Sequence, residues 1–276
     1  MRQANGEGAK APEQGDRRAG TPRFYKTATV AALAGNDPTP AVGQRATPAA
    51  GKSTALSAPS YRVLLDARPL KTPAKREFAV PSRALAEAIA AEWQAQGDEI
   101  DPSSMPLTRL VNSAIDGVRE RQAEVSADIS KYLASDLLCY RAAAPSALVQ
   151  RQAEGWDPIL DWSQQALGIR LRVTAGIVPV AQPPEATAAW ASWLQGLDVF
   201  ALAAVHAMTS LLGSALLARA LAERRLEAAA AWAAAHIDED FQAERWGVDD
   251  LAKARRDRQW HELEAASRLF SLSARN

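Results

Sequence analysis

What the chain has little of narrows it first. Cysteine occurs once, as Cys139, which excludes an intramolecular disulfide framework and fits a reducing compartment. Histidine occurs three times, as His206, His236 and His261, and these scattered imidazoles with one thiol give no metal-ligand spacing. Neither sign of charge is in excess: 32 Lys and Arg balance 32 Asp and Glu, which argues against a nucleic-acid binder with its basic surplus. The sequence contains no G-x-S-x-G elbow and no dinucleotide-type glycine loop. Gly51-Lys52-Ser53-Thr54 imitates the end of a phosphate-binding loop. The position where that loop needs its first Gly is Ala46, however, and Pro48 and Pro59 stand where a strand and a helix are required. The N-terminus has no apolar h-region, and Glu7, Glu13 and Asp16 interrupt its basic residues, so neither a secretory signal nor a transit peptide is expected.

What is there reads as α+β: a small β-rich (α/β) N-terminal part followed by a larger, mostly helical C-terminal part. Residues 1–22 are Gly-, Ala- and charge-rich with almost no large apolar side chains, the composition of a disordered tail. Residues 23–81 hold the strand patterns: one from Arg23, a weakly alternating hairpin around Asp66-Ala67-Arg68-Pro69, and a short one at Phe78 to Val80. Between the first two, residues 35–60 are Pro-, Ala- and Ser-rich and read as a long loop. Residues 82–276 form the helical part. Ser82 is a candidate N-cap for a helix with Leu85, Ile89 and Trp93 on one face. Pro106 suits a first helical position ahead of the apolar stripe Leu107, Leu110, Val111, Ala114, Ile115 and Val118. Asp157-Pro158 and Pro183-Pro184 read as two more helix starts, with a β-rich crossing over residues 168–180 between them, and a last helix begins near Asp249 or Asp250.

Three stretches raise questions of chemistry. A helix over residues 124–140 would bury Asp136 among Leu133, Leu137, Leu138 and Cys139, and a buried carboxylate needs a partner. Arg109 and Arg141 are the candidates for a structural ion pair. The uncharged run from Val199 to Leu217 has the length of a membrane span, but it is Ala-rich and lacks an aromatic belt, so a central buried helix with His206 as a satisfied core histidine is expected.

Leu226 to Gly247 reads as one helix of about six turns. Leu226, Ala230, Ala233, Ile237 and Phe241 share a face expected to be core. Trp232, His236, Glu239, Ala243 and Trp246 form a second stripe, and Asp238, Gln242 and Arg245 a solvated third. In one continuous helix Asp238, Glu239 and Asp240 fall in the C-terminal half, where the dipole disfavours acids. They are then either a solvated acidic patch or a partner-facing anionic rim framed by Trp232 and Trp246. Acid–base catalysis by these carboxylates, and membrane anchoring through residues 199–217, are the rival classes.

Read together, Arg23-Phe24-Tyr25-Lys26, Arg68-Pro69-Leu70-Lys71-Thr72-Pro73, Glu92-Trp93-x-x-Gln96 and Met105-Pro106-Leu107-Thr108-Arg109-Leu110 stand in a telling order. Asn112-Ser113-Ala114-Ile115-Asp116, Asp136-Leu137-Leu138-Cys139-Tyr140-Arg141, Gln152-x-x-x-Trp156-Asp157-Pro158, Gly213-Ser214 and Asp238-Glu239-x-x-Gln242-x-x-x-Trp246-Gly247 follow. The ordered set, from Arg23 to about Leu272, resembles the assembly chaperones that act on the α subunit of the ATP synthase F1 head. That resemblance implies a two-part fold, no catalysis and no cofactor. It implies that the unassembled α subunit is held until a β subunit takes the same surface. From the residues themselves, Glu239 and Asp240 with the flanking Trp232 and Trp246 are the expected client-binding surface. The protein is expected to act as a monomer in a bacterial cytoplasm, or in the mitochondrial matrix if the source is eukaryotic. Two departures from the family concern the hairpin: the long 35–60 loop, and Ala67 where a Gly would most easily take positive φ.

Overall fold

A computed structural model describes residues 21–33, 60–247 and 250–274. The expectations for the N-terminal tail, the 35–60 loop and the Gly51–Thr54 decoy lie almost wholly outside these residues. The strands are β1 (Thr21–Pro22), β2 (Ala28–Leu33), β3 (Ser60–Leu65), β4 (Arg68–Pro69), β5 (Ala79–Val80), β6 (Glu99–Ile100), β7 (Tyr140–Arg141) and β8 (Thr174–Ala175). The helices are α1 (Arg83–Gln94), α2 (Pro106–Ser113), α3 (Gln122–Ala134), α4 (Ser146–Leu167), α5 (Pro184–Gln195), α6 (Val199–Leu212), α7 (Ala215–Ala222), α8 (Ala228–Ala235), α9 (Ile237–Trp246) and α10 (Asp250–Ser273).

β3 is the central strand. It pairs antiparallel with β2 in the register Val30↔Val63 and, on its other edge, with β4 and β5. The β3–β4 turn is Asp66-Ala67, with φ of 46° and 69°. Asp66 fixes it: its carboxylate accepts from the backbone N–H of Lys26 and Thr27, which holds its pKa below the usual carboxylate range. α1 lies across β2 and β3, and its Leu85 and Ile89 are buried in the same core as Val63, Phe78 and Val80. Ser82 caps it as expected, accepting from Leu85 N–H.

α1 also starts α2. The Glu92 carboxylate accepts from Leu107 N–H at 2.7 Å and Thr108 N–H at 2.8 Å, occupying the orphan donors behind Pro106. Burial pushes the Glu92 pKa up against those same bonds. The stripe Leu107, Val111, Ala114, Ile115 and Val118 is buried, its last turn widened into a π-helix over Ala114–Val118. α6 sits at the centre of the helical part, packed by α2, α3, α7 and α10.

Several expected helix limits are corrected. The helix placed over residues 124–140 ends at Ser135. Asp136 turns out to cap a 3-10 turn, and Tyr140–Arg141 is a strand paired with β8, the one strand in the expected 168–180 crossing. Asp136 is fully buried but not ion-paired. Ser214 Oγ donates to it at 2.7 Å, and Leu138 and Leu216 N–H at 3.1 Å. Arg109 pairs instead with Glu262, and Arg141 with Asp157. The ends of two helical segments offered N–H donors where sequence offered only charges.

Asp157-Pro158 does not open a helix either: both lie inside α4, with Pro158 on its exposed side. The uncharged run is two helices broken at Gly213, whose φ of 63° suits glycine, with Ser214 as cap of α7. His206 is half-exposed and 3.1 Å from Asp128, so it is not a core histidine. Among the described residues no helix is long and apolar enough to cross a membrane.

Candidate functional site

The stretch from Leu226 to Gly247 is two helices. His236, with φ of −113°, separates α8 from α9. Its ring Nδ1 lies 2.8 Å from the Trp232 carbonyl, the acceptor its own backbone N–H would use in a continuous helix; that N–H bonds Ala233 instead. A second carbonyl freed by the break, that of Ala234, accepts from Trp156 Nε1 at 2.7 Å. The side chains of two residues thus replace main-chain donors at the corner.

α4 holds the far side. Gln152 Nε2 donates to Asp238 at 2.6 Å while its carbonyl accepts from Ala142 N–H. Arg151 makes two bonds, 2.7 and 2.8 Å, to Glu244. Residue 155 is glycine, and a Cβ there would stand 2.5 Å from Ile237 Cδ1, so the end of the Ile237 side chain would have to turn aside.

The break reverses an electrostatic argument. Asp238, Glu239 and Asp240 occupy the first turn of α9, not the C-terminal half of a longer helix. The dipole stabilises them there, so the acid cluster by itself demands no outside partner.

The face expected to be core shifts as well. Ala231 and Ala234 are buried, whereas Ala230 and Ala233 are exposed. Phe241 is buried under the guanidinium groups of Arg151 and Arg245.

Glu239, Ala243 and Trp246 form one wall of an open groove of about 500 Å³ whose other wall is Arg255, Arg256 and Gln259 of α10. The Glu239 side chain is 71% exposed and 3.9 Å from His236 Nε2. Trp246 is 79% exposed, and Leu251 nearby in sequence is 84% exposed. The other two expected contact residues are placed differently. Trp232 packs inward, its ring stacked 3.9 Å from His236 and edge-on to Trp260. Asp240 is half-buried and bonded to Arg256, whose pKa it raises. Among the described residues no cluster of His, Cys, Asp and Glu has metal-binding geometry.

A family model described as ATP12 chaperone protein matches residues 22–164, just over half of the chain. The chain belongs to the ATP12 chaperone family. It is therefore of the class that serves F1-ATPase assembly. Atp12 from Paracoccus denitrificans is similar over 92% of this chain and 99% of its own, at 39% identity and a TM-score of 0.79. The Atu1473 protein of Agrobacterium tumefaciens is 43% identical, covering 91% of this chain and 85% of that one, also at a TM-score of 0.79. The mitochondrial protein atp12 of Schizosaccharomyces pombe is 29% identical over 210 residues, 71% of this chain and 72% of that one.

As an ATP12 chaperone the protein has a candidate surface that sequence revealed by half. Arg255, Arg256 and Gln259 were missed because α10 has no apolar stripe or motif at its start that announces which helix it will face. The motif Gln152-x-x-x-Trp156 was seen but not its task, since its partners Asp238 and Ala234 lie 86 and 78 positions away.

Proposed function

We propose that this ATP12-family protein binds the unassembled α subunit of the F1 sector and keeps it from aggregating until β replaces it. An orphaned head subunit exposes a large apolar interface and is prone to aggregate. The observation that carries the reading is the pairing of an exposed indole with an exposed carboxylate, Trp246 and Glu239, on one wall of the α9–α10 groove. Exposed aromatics anchor partners, and a nearby charge sets register. The role is holding, with no reaction. His236, 3.9 Å from Glu239, is tied to the Trp232 carbonyl, and Arg256 of the opposite wall is tied to Asp240.

The test is aggregation of purified F1 α subunit in the presence of wild-type protein, Glu239→Lys and Trp246→Ala. Both variants are expected to need at least tenfold more protein for the same protection. Equal protection by all three would overturn the assignment of this surface. No protection by the wild type would overturn the function.

A further inference from the structure

The Glu239 groove has two walls of unlike charge. On the α9 wall, Glu239 has only His236 Nε2, 3.9 Å away, as an ion-pair neighbour among the described residues. On the α10 wall, Arg255 is exposed, and its guanidinium makes no ion pair or hydrogen bond among the described residues. Its neighbours one turn away on α10 are Leu251, Ala252, Arg258 and Gln259, so its own helix places no acid to serve it. Arg256 differs, being bonded to Asp240. Two side-chain amides, those of Gln242 and Gln259, also line the groove and bond nothing among the described residues.

Water serves these groups while the groove is open. A client that covers the Trp246 indole, 79% exposed, excludes that water. The Glu239 carboxylate and the Arg255 guanidinium are then desolvated, and each weakens the complex unless an opposite charge meets it.

We propose that the α9–α10 groove takes a segment of the F1 α subunit that carries a basic side chain for Glu239 and an acidic side chain for Arg255. Gln242 and Gln259, each both donor and acceptor, suit the main chain of that segment. The client is assigned as the occupant because Arg255 lines the same groove as Glu239 and Trp246, the pair on which the client reading stands. The inference rests on that reading and adds the charge pattern of the segment held.

The test measures binding of full-length variants to purified α subunit, with unchanged circular dichroism and melting temperature as the check on folding. Arg255→Glu is expected to bind at least about tenfold more weakly than wild type. Arg255→Gln is expected to weaken binding as well, and Arg255→Lys to stay close to wild type. Lys253→Glu makes the same charge change on the same helix outside the groove, and is expected to bind like wild type. The double variant Glu239→Lys with Arg255→Glu is expected to bind more weakly than either single variant. Restored binding in it would show that the two charges pair with each other across the groove, and the proposal would fall. Wild-type affinity in Arg255→Glu, or an equal loss in Lys253→Glu, would overturn it while leaving the Glu239 surface intact. A wild-type protein that binds no α subunit would overturn both readings. A photo-crosslinker at Ala252 is expected to label a stretch of α in which a Lys or Arg lies within a few residues of an Asp or Glu. Labelling of a β subunit, of a second copy of this chain, or of a stretch lacking either charge would overturn the assigned occupant.

Discussion

Trp156 Nε1 donates to the carbonyl of Ala234 at 2.7 Å, and this bond closes the corner at which α8 becomes α9. The corner decides what the acidic motif is for. It places Asp238, Glu239 and Asp240 at a helix start, ties Asp238 to Gln152, and leaves Glu239 outward.

Trp156→Phe is expected to destabilise the protein by about 2–4 kcal/mol, because the buried Ala234 carbonyl loses its donor and the smaller ring leaves a void at a fully buried site. Urea unfolding measures it. A variant as stable as the wild type would mean that water or a shift of α8 serves that carbonyl.

The two tryptophans of the acidic stripe are expected to separate cleanly. Trp232→Ala removes packing against His236 and Trp260 and should cost about 2–4 kcal/mol of stability. Trp246→Ala should change stability by less than about 0.5 kcal/mol, since its ring is exposed. Thermal or urea unfolding of both variants checks the contrast, and a large stability loss in Trp246→Ala would place its ring in the core.

Ala67→Gly is expected to stabilise the hairpin. A non-Gly residue in the left-handed region carries about 1–2 kcal/mol of strain, and φ at Ala67 is 69°. The extra unfolded-state entropy of Gly returns about 0.4–1 kcal/mol of that. A net gain of about 0.5–1 kcal/mol should appear as a higher unfolding midpoint, and a lower midpoint would show that the turn is unstrained.

Asp136 gives a pH dependence with a definite sign. Burial among Leu138, Cys139 and Leu216 pushes its pKa up to about 6 from the ordinary 3.8, against the hydrogen bonds from Ser214, Leu216 and Leu138. The folded state therefore holds a proton that the unfolded chain has released between about pH 4 and pH 6. Its contribution is fully present below about pH 4 and is lost as pH rises through 6, by about 3 kcal/mol in all. Asp136→Asn should flatten that part of the stability profile relative to wild type. Glu92, raised by burial, adds a slope of the same sign in both proteins. Parallel profiles for wild type and Asp136→Asn would contradict the assignment.

Much of the architecture was legible in the residues. Ser82 and Pro106 announced helix starts, the stripe from Leu107 to Val118 announced a buried face, and Asp66-Ala67 announced a turn, because each is a local preference of backbone or period. The helix ends were misread wherever a distant group finished them. Composition favours helix through Leu226–Gly247, and the break is served by a ring nitrogen of His236 and the indole of Trp156, which no local pattern announces. Pro158 likewise reads as a start in isolation, yet it sits within α4, whose flanking residues Gln152, Trp156 and Asp157 bond to Asp238, Ala234 and Arg141.

Sequence by itself therefore determined the two-part α+β plan and the family, through local periodicity and the order of its motifs. Tertiary structure alone decided that Asp136 is held by N–H and O–H donors rather than by an arginine, that Trp232 faces inward while Trp246 faces out, and that Glu239 looks across at Arg255 and Arg256 of α10. Those outcomes depend on which helix ends meet, where main-chain groups that every residue carries pair with side chains such as Asp136 and Trp156.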